Sequence, residues 1–121
     1  MVMANKKKTV MQTFNDGILS ICSAKDHEDG TTTLTVKHAL LRYHERTVGI
    51  NRYYRAKQES VEISMLVRIP WHGDVSTQDV AVLGDGRQFG IMQVQKPEGV
   101  MPPCLDISLE RVVHDYDVDG V

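Results

Sequence analysis

The sequence predicts an all-β fold: a small antiparallel β-barrel of about six strands, with a long loop or short helix between strands two and three. Three observations carry that expectation. Apolar residues recur with period two rather than 3.6 along most of the chain. Gly, Pro and Asp punctuate short apolar runs, as turns between strands do. A chain of 121 residues that is 41% hydrophobic can build one core, with little room for a second. Closing the sheet into a barrel also removes its open edges; an open sandwich is the alternative.

Residues 17–22 form the first expected strand, apolar and rich in isoleucine and leucine. Asp26-His27-Glu28-Asp29-Gly30 then carries a turn with Asp29-Gly30 at its tip. Residues 32–44 read as one long strand. Leu34, Val36 and Leu40 alternate, after which Leu41 and Tyr43 take the opposite phase, so a β-bulge or bend is expected at residues 39–41. Residues 48–59 lack alternation and have a composition that permits a short helix. The cleanest strand spans residues 60–69, with Val61, Ile63, Met65, Val67 and Ile69 on one face and Glu62, Ser64 and Arg68 on the other; Leu66 is the exception. Residues 79–83 and 87–95 flank Gly84-Asp85-Gly86, a tight hairpin signal because glycine takes positive φ at little cost. Residues 104–113 close the set, Leu105, Ile107 and Leu109 opposing Asp106, Ser108 and Glu110. The domain is thus expected over residues 17–114, after a basic extension at 1–16 and before an acidic, frayed tail at 115–121.

Composition narrows the function classes. Charged residues make up 25% and the net charge is −2, which argues against a dedicated non-specific DNA binder. No apolar run approaches the ~20 residues of a membrane helix, and Lys6, Lys7 and Lys8 precede no apolar stretch of the kind a secretory signal needs. Cys22 and Cys104 are too few for a disulfide scaffold and are expected as buried thiols of a reduced compartment.

Chemistry is hard to find. The five histidines form no H-E-x-x-H or H-x-H arrangement. His38 and His44 share a strand face but lie about 20 Å apart at ~3.3 Å per residue, too far to ligate one ion. Asp115 to Gly120 satisfies the D-x-D-x-D-G start of a calcium loop, yet the bidentate glutamate has no position before Val121. No serine sits in a G-x-S-x-G elbow, and no lysine follows the Gly84–Gly86 pair as in a phosphate loop. Neither an enzyme nor a cofactor is expected. What stands out is charge placement: Arg42, Arg46, Arg52, Arg55 and Lys57 face only Glu45 in their stretch, whereas from Asp106 onward the acids dominate. Trp71, beside Pro70, closes a strand and is expected as a core plug or an oligomer contact.

Several stretches taken in order resemble the head-closure (head–tail adaptor, or head-completion) proteins of long-tailed bacteriophages. They are Asn15-Asp16-Gly17-Ile18-Leu19, Arg46-Thr47-Val48-Gly49-Ile50-Asn51-Arg52-Tyr53-Tyr54-Arg55-Ala56 and Val67-Arg68-Ile69-Pro70. Asp79-Val80-Ala81-Val82, Asp85-Gly86-Arg87-Gln88-Phe89-Gly90-Ile91 and Leu105-Asp106-Ile107-Ser108-Leu109-Glu110 follow. The order and spacing are more specific than any one piece. The resemblance implies a virion protein, made in the bacterial host cytoplasm, that forms a homo-oligomeric ring on a portal or adaptor protein. Such a ring closes the channel over packaged double-stranded DNA and receives a tail protein, with no membrane involved. It makes Arg46, Arg52, Arg55 and Lys57, in the loop at residues 45–59, candidates to face DNA or a neighbouring subunit. Trp71, Tyr53 and Tyr54 are candidate interface residues. A nucleic-acid-binding small barrel, with Phe89 and Tyr43 as stacking aromatics, and a tail-completion or terminator protein are the alternatives.

Overall fold

A computed structural model describes residues 10–46, 65–112 and 116–118. The excursion at residues 48–59, with Arg52, Tyr53, Tyr54, Arg55 and Lys57, lies outside the described residues. So does the expected strand start at residues 60–64.

Among the described residues nine strands follow one another: β1 (Val10–Met11), β2 (Gly17–Asp26), β3 (Thr32–Arg46), β4 (Met65–Pro70), β5 (Asp79–Leu83), β6 (Gln88–Gln95), β7 (Val100–Met101), β8 (Cys104–Arg111) and β9 (Asp117–Val118). The chain is all-β, with no helix among the described residues and hence none long and apolar enough to cross a membrane. Six strands pair in the order β2-β5-β6-β8-β4-β3, and β3 pairs back onto β2, so the sheet closes in a ring. Every pairing in that ring is antiparallel. The seams differ greatly in length. The β2–β3 hairpin runs from Gly17↔Tyr43 to Asp26↔Thr32, whereas among the described residues β3 meets β4 at His44↔Arg68, Glu45↔Val67 and Arg46↔Leu66.

Alternation decides what lies inside. Leu19 and Ile21, Tyr43, Val67 and Ile69, Ala81 and Leu83, Phe89 and Ile91, and Leu105, Ile107 and Leu109 converge in one cluster. Each is the inward half of a period-two strand, and each such Leu, Ile or Phe contributes roughly 1.5–3 kcal/mol relative to exposure. The chain between β4 and β5 adds Val75 to this cluster. Of the two roles expected of Trp71, core plug or oligomer contact, the core plug does not hold: Trp71 is 46% exposed and Val75 fills the core. Tyr43 and Phe89 are also core residues, at 7% and 2% exposure, so neither offers a face on which a base could stack.

The turns are those their residues dictate. Gly86 takes φ +94 and donates its N–H to the Leu83 carbonyl, while Asp85 accepts from the N–H and Nε of Arg87. Gly30 takes φ +88 behind Asp29, whose Oδ1 accepts from the N–H and hydroxyl of Thr31. The phase slip in β3 is a genuine irregularity. The register with β2 shifts on both sides of the Ile21↔His38 pair, and Leu40 sits at φ 57. That left-handed conformation costs a leucine about 1–2 kcal/mol. Its N–H is satisfied by the Ser20 hydroxyl at 3.2 Å, and its side chain stands 69% exposed.

Both flanks of the ring make ordered contacts. Before Gly17, β1 lies parallel to β7, and Gln12 N–H reaches the Met101 carbonyl. The frayed tail does not hold for Tyr116–Val118. The Gln88 side-chain amide donates to the Tyr116 carbonyl at 2.8 Å and accepts from its N–H at 2.7 Å, as a peptide group of a neighbouring strand would. β9 then runs parallel to Thr33–Leu34 of β3, and Val118 packs on a second small cluster of Cys22, Leu34 and Val80 outside the ring. This apolar patch outweighs the acidity of the segment, because docking Val118 removes its surface from water.

Candidate functional site

β4 and β8 carry the charged centre of the molecule. Val67, Ile69, Leu105, Ile107 and Leu109 take the inner face, which leaves Arg68 and Asp106 outward. The antiparallel register sets those two directly opposite each other. The Arg68 guanidinium donates Nε to Asp106 Oδ1 at 2.7 Å and Nη2 to Oδ2 at 3.0 Å, a bidentate pair. Its remaining Nη1 donates to Gln12 Oε1 at 2.9 Å, so the docked N-terminal stretch closes over the pair. Arg46 adds a third cation, donating Nη1 to Asp106 Oδ2 at 2.9 Å. Side-chain exposure is 9% for Arg68 and 10% for Asp106, against 39% for Arg46. The hydrogen bonds to Asp106 outweigh desolvation and raise the Arg68 pKa, so the guanidinium stays charged although covered.

This clamp stands at the root of residues 47–64, which leave from Arg46 and return at Met65 on adjacent strands. Arg46, expected to face DNA or a neighbouring subunit, is committed to Asp106, with part of its side chain in solvent. Arg52, Arg55, Lys57, Tyr53 and Tyr54 lie outside the described residues. Trp71 occupies the other end of β4, where its N–H donates to the Pro103 carbonyl at 3.0 Å. Its ring lies against Gly73 and beneath the Lys96 ammonium, 5.4 Å from the ring centroid. A side chain at residue 73 would crowd that ring, since an added Cβ would stand 3.1 Å from Trp71 Cη2. Met11 and Met101, partners across the β1–β7 pair, are also exposed. An exposed aromatic, held on both sides and lying apart from the core, suits a contact surface.

Sequence reasoning missed the clamp and a histidine pair. His38 of β3 stacks on His72, ring centroids 4.1 Å apart at 25°, and His38 Nε2 meets Asp74 Oδ1 at 2.7 Å. The two histidines are remote in sequence, and only the course of the chain after β4 brings them together. Cys22 and Cys104 are buried free thiols, both pushed up in pKa chiefly by burial. Among the described residues no cluster of His, Cys, Asp or Glu is arranged to hold a metal ion. Comparison with protein-family models and with curated proteins finds no match to this chain.

Proposed function

We propose that this chain is a structural virion protein of a phage head–tail connector. In this reading it is a small antiparallel β-barrel that joins copies of itself in a ring on a portal or adaptor protein. The ring closes the channel over packaged double-stranded DNA and presents the surface on which the tail docks. The observation that carries the reading is the position of residues 47–64. A long segment bearing Arg52, Arg55 and Lys57 begins and ends on neighbouring strands of a closed ring, and a buried charge clamp fixes its root. Such a part needs no catalysis. It needs a rigid body, a charged segment that meets phosphates without reading bases, and flanks that repeat around a closed ring. The burial of Tyr43 and Phe89 favours this reading over that of a nucleic-acid-binding barrel, which requires exposed stacking aromatics.

The test is charge reversal in the segment, away from the clamp. Arg52→Glu with Arg55→Glu is expected to leave folding intact and to yield heads that lose DNA or lack tails. Infectious particles in normal yield from the double variant would refute the assignment.

A further inference from the structure

We propose that the stacked His38–His72 pair and Asp74 form an acid-operated latch on the connection between β4 and β5. That connection, residues 71–78, holds Val75 in the core and carries Trp71 on the surface. It is fastened to β3 by side chains that the double register shift aims at it. Lys37 Nζ donates to the Asp74 carbonyl at 2.6 Å and to Asp79 Oδ2 at 2.8 Å, while His38 meets Asp74 Oδ1. Asp79 in turn accepts from Ser76 N–H at 2.9 Å and donates its own N–H to the Ser76 carbonyl at 3.1 Å.

The charged and titratable groups around the connection are Asp74, which meets His38, then Lys37 on β3 and Asp79 on β5, which pair with each other, with the Cys22 thiol of β2 near Asp79. A charge on His72 is ill placed, since its ring is half-buried and stacked on the His38 ring with centroids 4.1 Å apart, while His38 takes the contact to Asp74 Oδ1. Burial first, and then His38, lower the pKa of His72. The closed latch therefore disfavours the charged form of His72. As pH falls below about 6.5, protons bind the released state better and opening gains. Asp74, held below the ordinary carboxylate range chiefly by its hydrogen bond from His38, stays ionised through this step. Its contact is lost only at still lower pH. Lys37, bonded to the Asp74 carbonyl and to Asp79, limits how far the connection departs.

Hydrogen exchange of the Ser76 and Asp79 amides in the full chain, corrected for the intrinsic pH dependence of exchange, reads the latch directly. Both amides are expected to lose protection as pH falls from 7.5 to 4.5, with a midpoint under 6.5. His72→Gln should abolish that loss, and His38→Gln should move the midpoint upward. His27→Gln, remote from the pair, should leave it in place. Protection that is flat across the range, a His72→Gln variant that keeps the transition, or a His38→Gln midpoint that does not move would overturn the proposal.

Discussion

Removing the carboxylate of Asp106 tests the charge clamp most directly. Asp106→Ala deletes two hydrogen bonds from Arg68 and one from Arg46, and leaves the Arg68 guanidinium, 9% exposed, with Gln12 Oε1 as its partner within the clamp. Stripping one partner from a buried ion pair costs about 3–5 kcal/mol, because the remaining charge keeps its desolvation penalty without its compensation. The surviving Gln12 contact puts Arg68 at the lower end of that range. The half-exposed Arg46 adds no more than about 1 kcal/mol. The expected loss is therefore about 3–4 kcal/mol, a large part of the ~5–15 kcal/mol that holds an ordinary domain together. In urea, where m for small proteins is about 1–3 kcal/mol/M, this lowers the midpoint by roughly 1–4 M with m unchanged. Arg46→Ala should cost under about 1 kcal/mol in the same assay. Replacing both buried partners, Arg68→Met with Asp106→Leu, should recover most of the loss, since no charge then remains buried. A loss below about 1 kcal/mol for Asp106→Ala, or a double variant as unstable as the single one, would refute this account of the clamp.

Two further outcomes follow from the bulge and the tail. Leu40→Gly relieves a left-handed leucine that buries little surface, and should raise stability by up to about 1 kcal/mol in thermal or urea unfolding; a clear loss would mean that the exposed side chain packs on something in the free protein. Val118→Asp should unseat β9 from the Cys22–Leu34–Val80 cluster, so that Cys22 reacts several-fold faster with a thiol reagent at pH 8 while Cys104, remote from that cluster, keeps its rate; an unchanged Cys22 rate would refute the covering role of the tail.

The strands of the ring were legible because half of each one faces a single core. Leu105, Ile107 and Leu109 alternate with Asp106 and Ser108 for that reason, and the phase slip at residues 39–41 registered a bulge because it had to move later side chains to the other face. Features that depend on register or on distant meetings left no such trace. Arg68 and Asp106 each read as an ordinary outward charge, since nothing local sets the two strands in register. β1 and β9 are two residues long, too short for any period to show. Nothing local separates the two roles open to Trp71, core plug and oligomer contact: it follows a strand end and stands exposed, while Val75 reaches the core. Tyr43 and Phe89 fell on the inward phase of their strands, where an aromatic fills volume rather than greeting a ligand.

The unequal seams have a mechanical consequence. A pull on residues 47–64 enters the body through Arg46 and Met65, on neighbouring strands whose pairing spans three residue pairs among the described residues. Such a pull peels β3 from β4 one residue pair at a time, which resists far less than sliding two strands along their full overlap. Arg46 bypasses that weak line. By gripping Asp106 it ties β3 past β4 to β8, whose pairing with β4 spans Met65↔Leu109 to Pro70↔Cys104. Tension that would open the seam is thus shared with a longer and stronger one, and the clamp acts as a rivet at the point where tearing would begin.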